Sequence, residues 1–350
     1  MAYISFQPSD HFNTLLYTDN GANRTLTGVG FQPDWVWIKT RNHANSHNIF
    51  DAVRGANKVL RSNQTAAEVT TTDTLTAFTS DGFSLGVDAS GYGVNYDNKN
   101  EVAWNWKANG QGSANSDGTI TTTYTSANTT AGFSIVKYTG GGANATIGHG
   151  LGVAPKMVIV KRLTGSGFQW MIYNKNVGND KYLNLDDAGA ESGSSAGYWN
   201  NTDPTSSVFS IGADTAISGS GVAHIAYCFA EKKGFSKFGS YTGNGNANGT
   251  FIYTGFKPTF FLWKRYNSTG GWYQVDNKRN TFNLVDTPLG ANDSAVESAF
   301  GTVQNMDFLA NGIKLRGTNV DSNYDGGQYI YMAFAEEPLV SSNNIPATAR

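Results

Sequence analysis

The sequence predicts an all-β protein made of three tandem β-sandwich-like units of about 100 residues each. One phrase recurs three times: Tyr17-Thr18, Pro33 and Lys39; Tyr138-Thr139, Pro155 and Lys161; Tyr241-Thr242, Pro258 and Lys264. Its Tyr-to-Pro steps are 16, 17 and 17 residues, and each Pro-to-Lys step is six. A closing aromatic, Trp106, Phe229 or Phe334, then follows its proline by 73, 74 or 76 residues. Fixed periods mark a unit that has been copied and stacked. Composition agrees with this reading. Hydrophobic residues make up 39% of the chain and 41 positions are glycine, a profile of short apolar strands joined by tight turns.

The spacing divides the chain into unit one (1–107, with a short N-terminal strap), unit two (132–233) and unit three (234–337). Segment 108–131, rich in Gly, Ser, Asn and Thr, reads as a polar linker leading into an edge strand. The polar tail, 338–350, reads as a docking strap or a disordered end. Units two and three follow each other almost at once, which predicts a rigid pair with unit one tethered to it. The sequence leaves open whether the three units form a line or a closed ring.

Each unit opens on a strand containing Phe12–Tyr17, Phe133–Tyr138 or Phe235–Tyr241. Glycine- and asparagine-rich phrases follow, Asn20-Gly21, Gly140-Gly141-Gly142 and Gly243-Asn244-Gly245, and read as hairpin turns. The proline then introduces an apolar run: Trp35-Val36-Trp37-Ile38, Met157-Val158-Ile159-Val160 or Phe260-Phe261-Leu262-Trp263. Successive strand residues face opposite sides, so a run apolar at every position is covered on both faces. That makes it a central strand between layers, and the following lysine should mark where it emerges into solvent. The next strand ends near Asp51, Asn174 or Asn277; the two asparagines each lie 19 residues past their proline and suggest a common register. Strands at Gly82–Gly86, Val208–Gly212 and Gly312–Leu315 come later, before the closing strands Val102–Trp106, Ile225–Phe229 and Ile330–Phe334. Helix is scarce, with one or two short turns expected at Ser294–Phe300.

Several function classes are disfavoured at this level. Only 15% of residues are charged and the net charge is −2, so no basic footprint for nucleic acid exists. No apolar run reaches the roughly 18 residues of a membrane span, and the first residues, Met1-Ala2-Tyr3-Ile4-Ser5-Phe6, do not read as a secretory signal. Cys228 is the only cysteine, which excludes an intramolecular disulfide.

The phrases Gly28-Val29-Gly30-Phe31-Gln32-Pro33-Asp34-Trp35-Val36-Trp37-Ile38-Lys39, Gly148-His149-Gly150-Leu151-Gly152-Val153-Ala154-Pro155-Lys156 and Gly234-Phe235-Ser236-Lys237-Phe238-Gly239-Ser240-Tyr241-Thr242-Gly243 resemble a family of repeat-bearing proteins of marine tailed phages. Asn343-Asn344-Ile345-Pro346-Ala347-Thr348-Ala349-Arg350 is similar to the usual end of such proteins. The resemblance spans essentially the whole chain. It implies a lectin-like or jelly-roll sandwich and a virion structural protein of the tail-fibre or adhesion type. It also implies virion localisation, other virion proteins as partners, and a homo-oligomer, a trimer by analogy with phage fibres. It carries over no catalytic residue. A capsid-decorating protein and a glycan depolymerase are the alternatives, and a free lectin is a third class.

Candidate sites are sparse. Gly193-Ser194-Ser195-Ala196-Gly197 fits the GxSxG nucleophile pattern but reads as a flexible loop, since the other units lack it. Gly148–Gly152 and Gly243–Gly245 read as hairpin turns and not as phosphate cradles. His11, His43, His47, His149 and His224 are scattered and read as loop residues, not metal ligands. Asp186, Asp187, Asp321, Asp325, Asp88 and Asp97 are possible acids or calcium ligands, outweighed by a turn-forming role. Glu231 and Glu336 recur two residues past the closing aromatic, as caps or inter-unit salt bridges. No metal, cofactor or catalytic residue is assigned. Sugars bind by stacking on Trp and Tyr faces, so Trp170, Tyr198, Trp199, Trp272, Tyr273 and Tyr324 are the candidates for binding a host-surface glycan. Packing or subunit contact is the competing role for those six, while Trp35, Trp37, Trp104, Trp106 and Trp263 belong to the core.

Overall fold

The computed structural model describes residues 6–96, 98–193, 196–298, 304–336, 339–340 and 346–347. Nearly all regular structure is antiparallel strand, and the same strand order occurs in all three units. The opening strand (Phe12–Thr18, Phe133–Thr139 or Ser236–Thr242) pairs with the closing strand (Asn100–Trp106, Ala223–Phe229 or Gln328–Ala335). The closing strand pairs in turn with the central strand: Trp35–Thr40, Met157–Arg162 or Pro258–Arg265. Next comes a flanking strand (Asn48–Asp51, Met171–Asn174 or Trp272–Asp276), then a rim strand (Lys58–Arg61, Lys181–Asn184 or Leu289–Gly290). Segment 108–131 runs along unit two, and its Tyr124–Asn128 strand extends that unit's large sheet.

A smaller sheet covers one face of each large sheet. It contains Arg24–Thr27, Gly82–Leu85 and Leu75–Thr79 in unit one, Ala145–Gly148 and Val208–Ile211 in unit two, and Phe251–Tyr253, Gly312–Leu315 and Met306–Leu309 in unit three. The glycine-rich phrases after the opening strands are therefore not hairpin turns. They are corners where the chain leaves the large sheet for the small one. Glycine is needed there because the corner passes close to another backbone: a Cβ on Gly140 would lie 2.6 Å from the Gly219 oxygen, and one on Gly243 2.3 Å from that of Tyr324.

The central strands are apolar on both faces because each face meets a different layer. Val36 and Ile38 pack into unit one's own sandwich, whereas Trp35 and Trp37 face a core shared by all three units. The closing aromatics meet in that shared core. Phe334 lies 5.7 Å from Trp106 and 6.4 Å from Phe229, and Trp35 lies 5.7 Å from Phe229.

Hydrogen bonds at equivalent positions close the three units into a ring. The Glu68 N–H donates to Leu163 O at 3.0 Å, Glu191 to Tyr266 at 2.7 Å and Glu297 to Arg41 at 2.7 Å. The Trp170 indole donates to Arg61 O at 2.9 Å and that of Trp272 to Asn184 O at 2.7 Å; His47, at the same register, lies beside the Gly290 backbone. Unit one is thus held by joints of the same kind as the other two, not by a tether.

The three repeated lysines do not emerge into solvent as their position predicts. Lys39, Lys161 and Lys264 are fully buried, and each ammonium crosses a joint. They donate to Ser294 O at 3.4 Å, Gln64 O at 3.4 Å and Ala188 O at 3.2 Å. Each also donates to a nearer carbonyl of its own unit, Thr40 O at 2.8 Å, Phe168 O at 2.5 Å and Gly270 O at 2.7 Å. The ring adds a further acceptor and the burial, which is why the strand end is not a surface.

One further position differs between joints in a chemically consistent way. Trp35, Met157 and Phe260 are equivalent, and their partners on the flanking strand are Asp51, Asn174 and Asp276. A bulge between Pro258 and Phe260 shifts unit three by one residue, so Asp276, not Asn277, matches Asn174. Asp51 accepts from Tyr227 OH of unit two at 2.7 Å, and Asp276 accepts from Trp104 Nε1 of unit one at 3.0 Å. Each acid also holds a buried arginine, Arg54 at 2.5 Å and Arg279 at 2.6 Å. Where unit two has Asn174, the residue matching Tyr227 and Trp104 is Met332, which has no hydrogen to donate, and Val177 stands three residues on in place of arginine.

Arg54→Val should therefore cost about 3–5 kcal/mol in urea unfolding, because it leaves the Asp51 carboxylate buried without its cation. Adding Asp51→Asn installs the unit-two pair and should restore most of that loss; a double variant no more stable than the single one would refute this account of the joint.

The lysines give a pH test. Burial lowers each from 10.5 to about 8. Between those values the unfolded chain holds more protons than the folded one, so stability should rise as the pH is raised from about 8 to about 10. Below about pH 8 the cost of burying the three ammonium groups is present in full. Urea midpoints at about pH 7.5 and about pH 9.5 check the sign, and Lys264→Met should flatten the slope.

Candidate functional site

The six aromatic candidates separate by burial. Trp170 and Trp272 lie in the shared core and Trp199 in the core of unit two, all at 1% exposure or less. A ring enclosed on both faces cannot stack on a sugar, so these three are structural; their indoles or rings serve the joints and the unit-two sandwich. Tyr198 is half-buried against Tyr182 at 4.4 Å. Tyr273 is half-buried beside Trp263 at 5.8 Å, and its hydroxyl donates to Asp321 Oδ2 at 3.3 Å. Tyr324 is 48% exposed, with the Arg265 guanidinium 4.5 Å from its ring centre. The structure does not gather the six into one site.

The polar candidates are mostly spent on local structure. Asp88 accepts from the N–H groups of Tyr92, Gly93 and Val94, and Asp186 accepts from Trp170 N. Asp187 accepts from Gln169 Nε2 and Gly189 N. Asp97, Ser194 and Ser195 lie outside the described residues. On either side of those serines stand the two-residue strand Ser192–Gly193 and a helical turn, Ala196–Trp199, so the surroundings are more regular than a flexible loop. The other expected helical turn does not form over residues 294–298; its last two positions, 299 and 300, are outside the described residues. His47, His149 and His224 are buried rather than on loop surfaces, and Trp37 Nε1 donates to His47 Nδ1 at 2.8 Å. Glu231 pairs with Lys237 at 3.0 Å across the junction of units two and three, while Glu336 pairs with Lys257 within unit three. Among the described residues no group of three His, Cys, Asp or Glu side chains is placed to hold a metal.

Sequence reasoning missed a cleft at the junction of units one and three. Its volume is about 240 Å³, and it is lined by Ala44, Asn45, Ser46, Arg61, Gly91, Tyr92 and Ser294. Arg61 ends a rim strand whose counterparts end at Asn184 and Gly290. Its carbonyl is fixed by the Trp170 indole and its guanidinium lies 4.6 Å from the Tyr92 ring centre. Gln64 Oε1 accepts from Arg61 Nη1 at 2.9 Å. Ser46 Oγ accepts from Gln64 Nε2 at 2.9 Å and from Asn63 Nδ2 at 3.3 Å. Aligning the three rim strands would have exposed the signal, since only one of them ends in a cation.

A second unanticipated feature is a buried acid pair in unit one. Asp19 takes the place of the corner glycines Gly140 and Gly243, and Glu101 that of His224 and Tyr329. Burial raises Asp19 to about 7. Burial, and then the charge of Asp19, raises Glu101 well above the ordinary carboxylate range. Two adjacent carboxyls away from water hold a proton between them at neutral pH.

These features define a class: an all-β protein whose three sandwich-like units close on a shared core and carry a polar cleft at one junction. The chain belongs to the family described as a domain of unknown function, DUF7483, which matches residues 7–338. No curated protein matches it.

Because the folded acid pair holds its proton to higher pH than the unfolded carboxyls do, it favours folding at acid pH and loses that contribution as the pH rises through about 7. Glu101→Gln should consequently raise the melting temperature relative to the parent at about pH 8 and leave it little changed at about pH 4. A gain of equal size at both pH values would rule out a shared proton.

Proposed function

We propose that the chain is a virion structural protein of the tail-fibre or adhesion type, which attaches to host-surface glycan or assembles with other virion proteins without catalysis. The observation that carries this reading is the ring. Polar groups repeated in the units, the buried lysines and the backbone N–H groups of Glu68, Glu191 and Glu297, are engaged in joining one unit to the next, and Asp51 and Asp276 join two of the three junctions. What is left for recognition is the outer loops and the cleft between units one and three. A rigid block presenting loops is suited to adhesion and assembly, and the resemblance to repeat-bearing phage proteins supplies the setting. Homo-oligomerisation, with a trimer as the expected state, belongs to the same proposal.

Antibody raised to the protein and applied to purified particles tests it. Gold label on the tail tip or fibres is expected. Label spread over the head would make this a capsid-decorating protein, and absence of the chain from purified particles would overturn the proposal and reopen a glycan depolymerase.

A further inference from the structure

We infer that the cleft between units one and three binds a single carboxylate-bearing sugar residue, such as a uronic acid at a chain end or branch, with Arg61 taking the carboxylate. The inference rests on the glycan-attachment reading above and names the class of sugar. Among the described residues Arg24, Arg61, Arg162 and Arg265 have no ion pair, and of these Arg61 is the one that lines the cleft. Its position is nonetheless fixed at three points: the carbonyl by the Trp170 indole, the guanidinium face by Tyr92, and Nη1 by Gln64. A guanidinium carries five N–H donors. With Nη1 held by Gln64, donors remain at Nε and Nη2, and a guanidinium edge of this kind matches a planar carboxylate in two parallel bonds.

The rest of the lining suits a polyol. Ser46 Oγ already accepts two hydrogen bonds, so its own hydrogen is free to be donated into the cleft. Tyr92 adds an aromatic flank, and Asn45 stands beside Ser46 with its amide anchored to Thr40 Oγ1 at 3.2 Å. Among the described residues Arg61 is the only charged one of the lining, which fits one negative charge better than the two of a phosphate monoester. A volume of about 240 Å³ admits one sugar unit, and the exposed rim at Ala44, Gly91 and Ser294 lets the polymer continue outward. The other junctions have Asn184 and Gly290 at the position of Arg61, so the charge selectivity is particular to this one.

The test is retention of the full chain on immobilised polygalacturonate, a uronic acid polymer, and on immobilised dextran, a neutral one. Wild-type protein should be retained on polygalacturonate and released by free glucuronate but not by glucose. Arg61→Gln should weaken that retention about tenfold or more, the loss of a charge-assisted pair of hydrogen bonds, with its melting temperature unchanged. Tyr92→Ala should weaken it too. Retention on polygalacturonate that Arg61→Gln does not alter, or release by inorganic phosphate as readily as by glucuronate, would overturn the assignment. Retention on dextran alone would overturn it while leaving glycan attachment standing. No retention on either polymer, together with no binding to host cells, would overturn both.

Discussion

The structure depends on one constraint: three large sheets must bury their inner faces against each other at a common centre. A sandwich buries one face of each sheet, and the other is normally left to water. Here that second face carries Trp35, Trp37, Trp104 and Trp106 in unit one, with Phe229 and Phe334 from its neighbours. Full burial of an aromatic side chain contributes on the order of 2–3 kcal/mol, and none of these residues could be buried by its own unit. The repeated spacing of the closing aromatics is thus a requirement of the assembly, because the three must arrive at the same centre.

The polar joints follow from that burial. Once the sheets converge, the ends of their strands are shut away from water, and the backbone and side-chain groups there need partners. The lysines, tryptophans and glutamates at the junctions supply them in a cyclic pattern. Where the neighbour offers a hydroxyl or indole hydrogen, the flanking strand has an aspartate with an arginine to balance it; where the neighbour is Met332, the aspartate is replaced by Asn174. The three units act as internal controls for one another and show a charge retained only where it has a use.

Much of the architecture was legible in the sequence. Runs apolar at every position announced strands covered on both faces, and the spacing of prolines and aromatics located equivalent strands in all three units. Ring closure was not legible, because spacing along the chain is the same for a line and a circle. The lysines were misread for the same reason: a lysine after an apolar run normally reaches water, and only the neighbouring unit reveals that Lys39, Lys161 and Lys264 do not. Trp170 and Trp272 stood beside Gly- and Asn-rich stretches and looked exposed, yet they are inter-unit struts. Arg61 is marked only by comparison with Asn184 and Gly290 at the ends of the other rim strands, and its meaning comes from Tyr92 and Ser294 in other loops. Ring closure, the lysines, Trp170 and Trp272 all concern contacts between units, which a pattern read within one unit cannot supply.

A ring cut from a linear chain has one seam that no peptide crosses. Units one and two are joined through 108–131 and units two and three through the short stretch after Phe229, but unit three meets unit one only through side chains and backbone hydrogen bonds. Charged groups tie that seam: Arg41 and Glu297 form a two-pronged pair at 2.7 and 2.9 Å, Arg279 joins Glu297 at 3.3 Å, and Trp104 reaches Asp276. The covalently continuous seam between units two and three has Asn174 and Met332 at the corresponding place. The open seam is thus held by an ion pair that crosses it as well as by the buried Asp276–Arg279 pair, whose counterpart Asp51–Arg54 stands at the junction of units one and two. The cleft lies on this same seam, so a ligand seated there would act as a clasp, bridging the two ends of the ring that the polypeptide leaves unjoined.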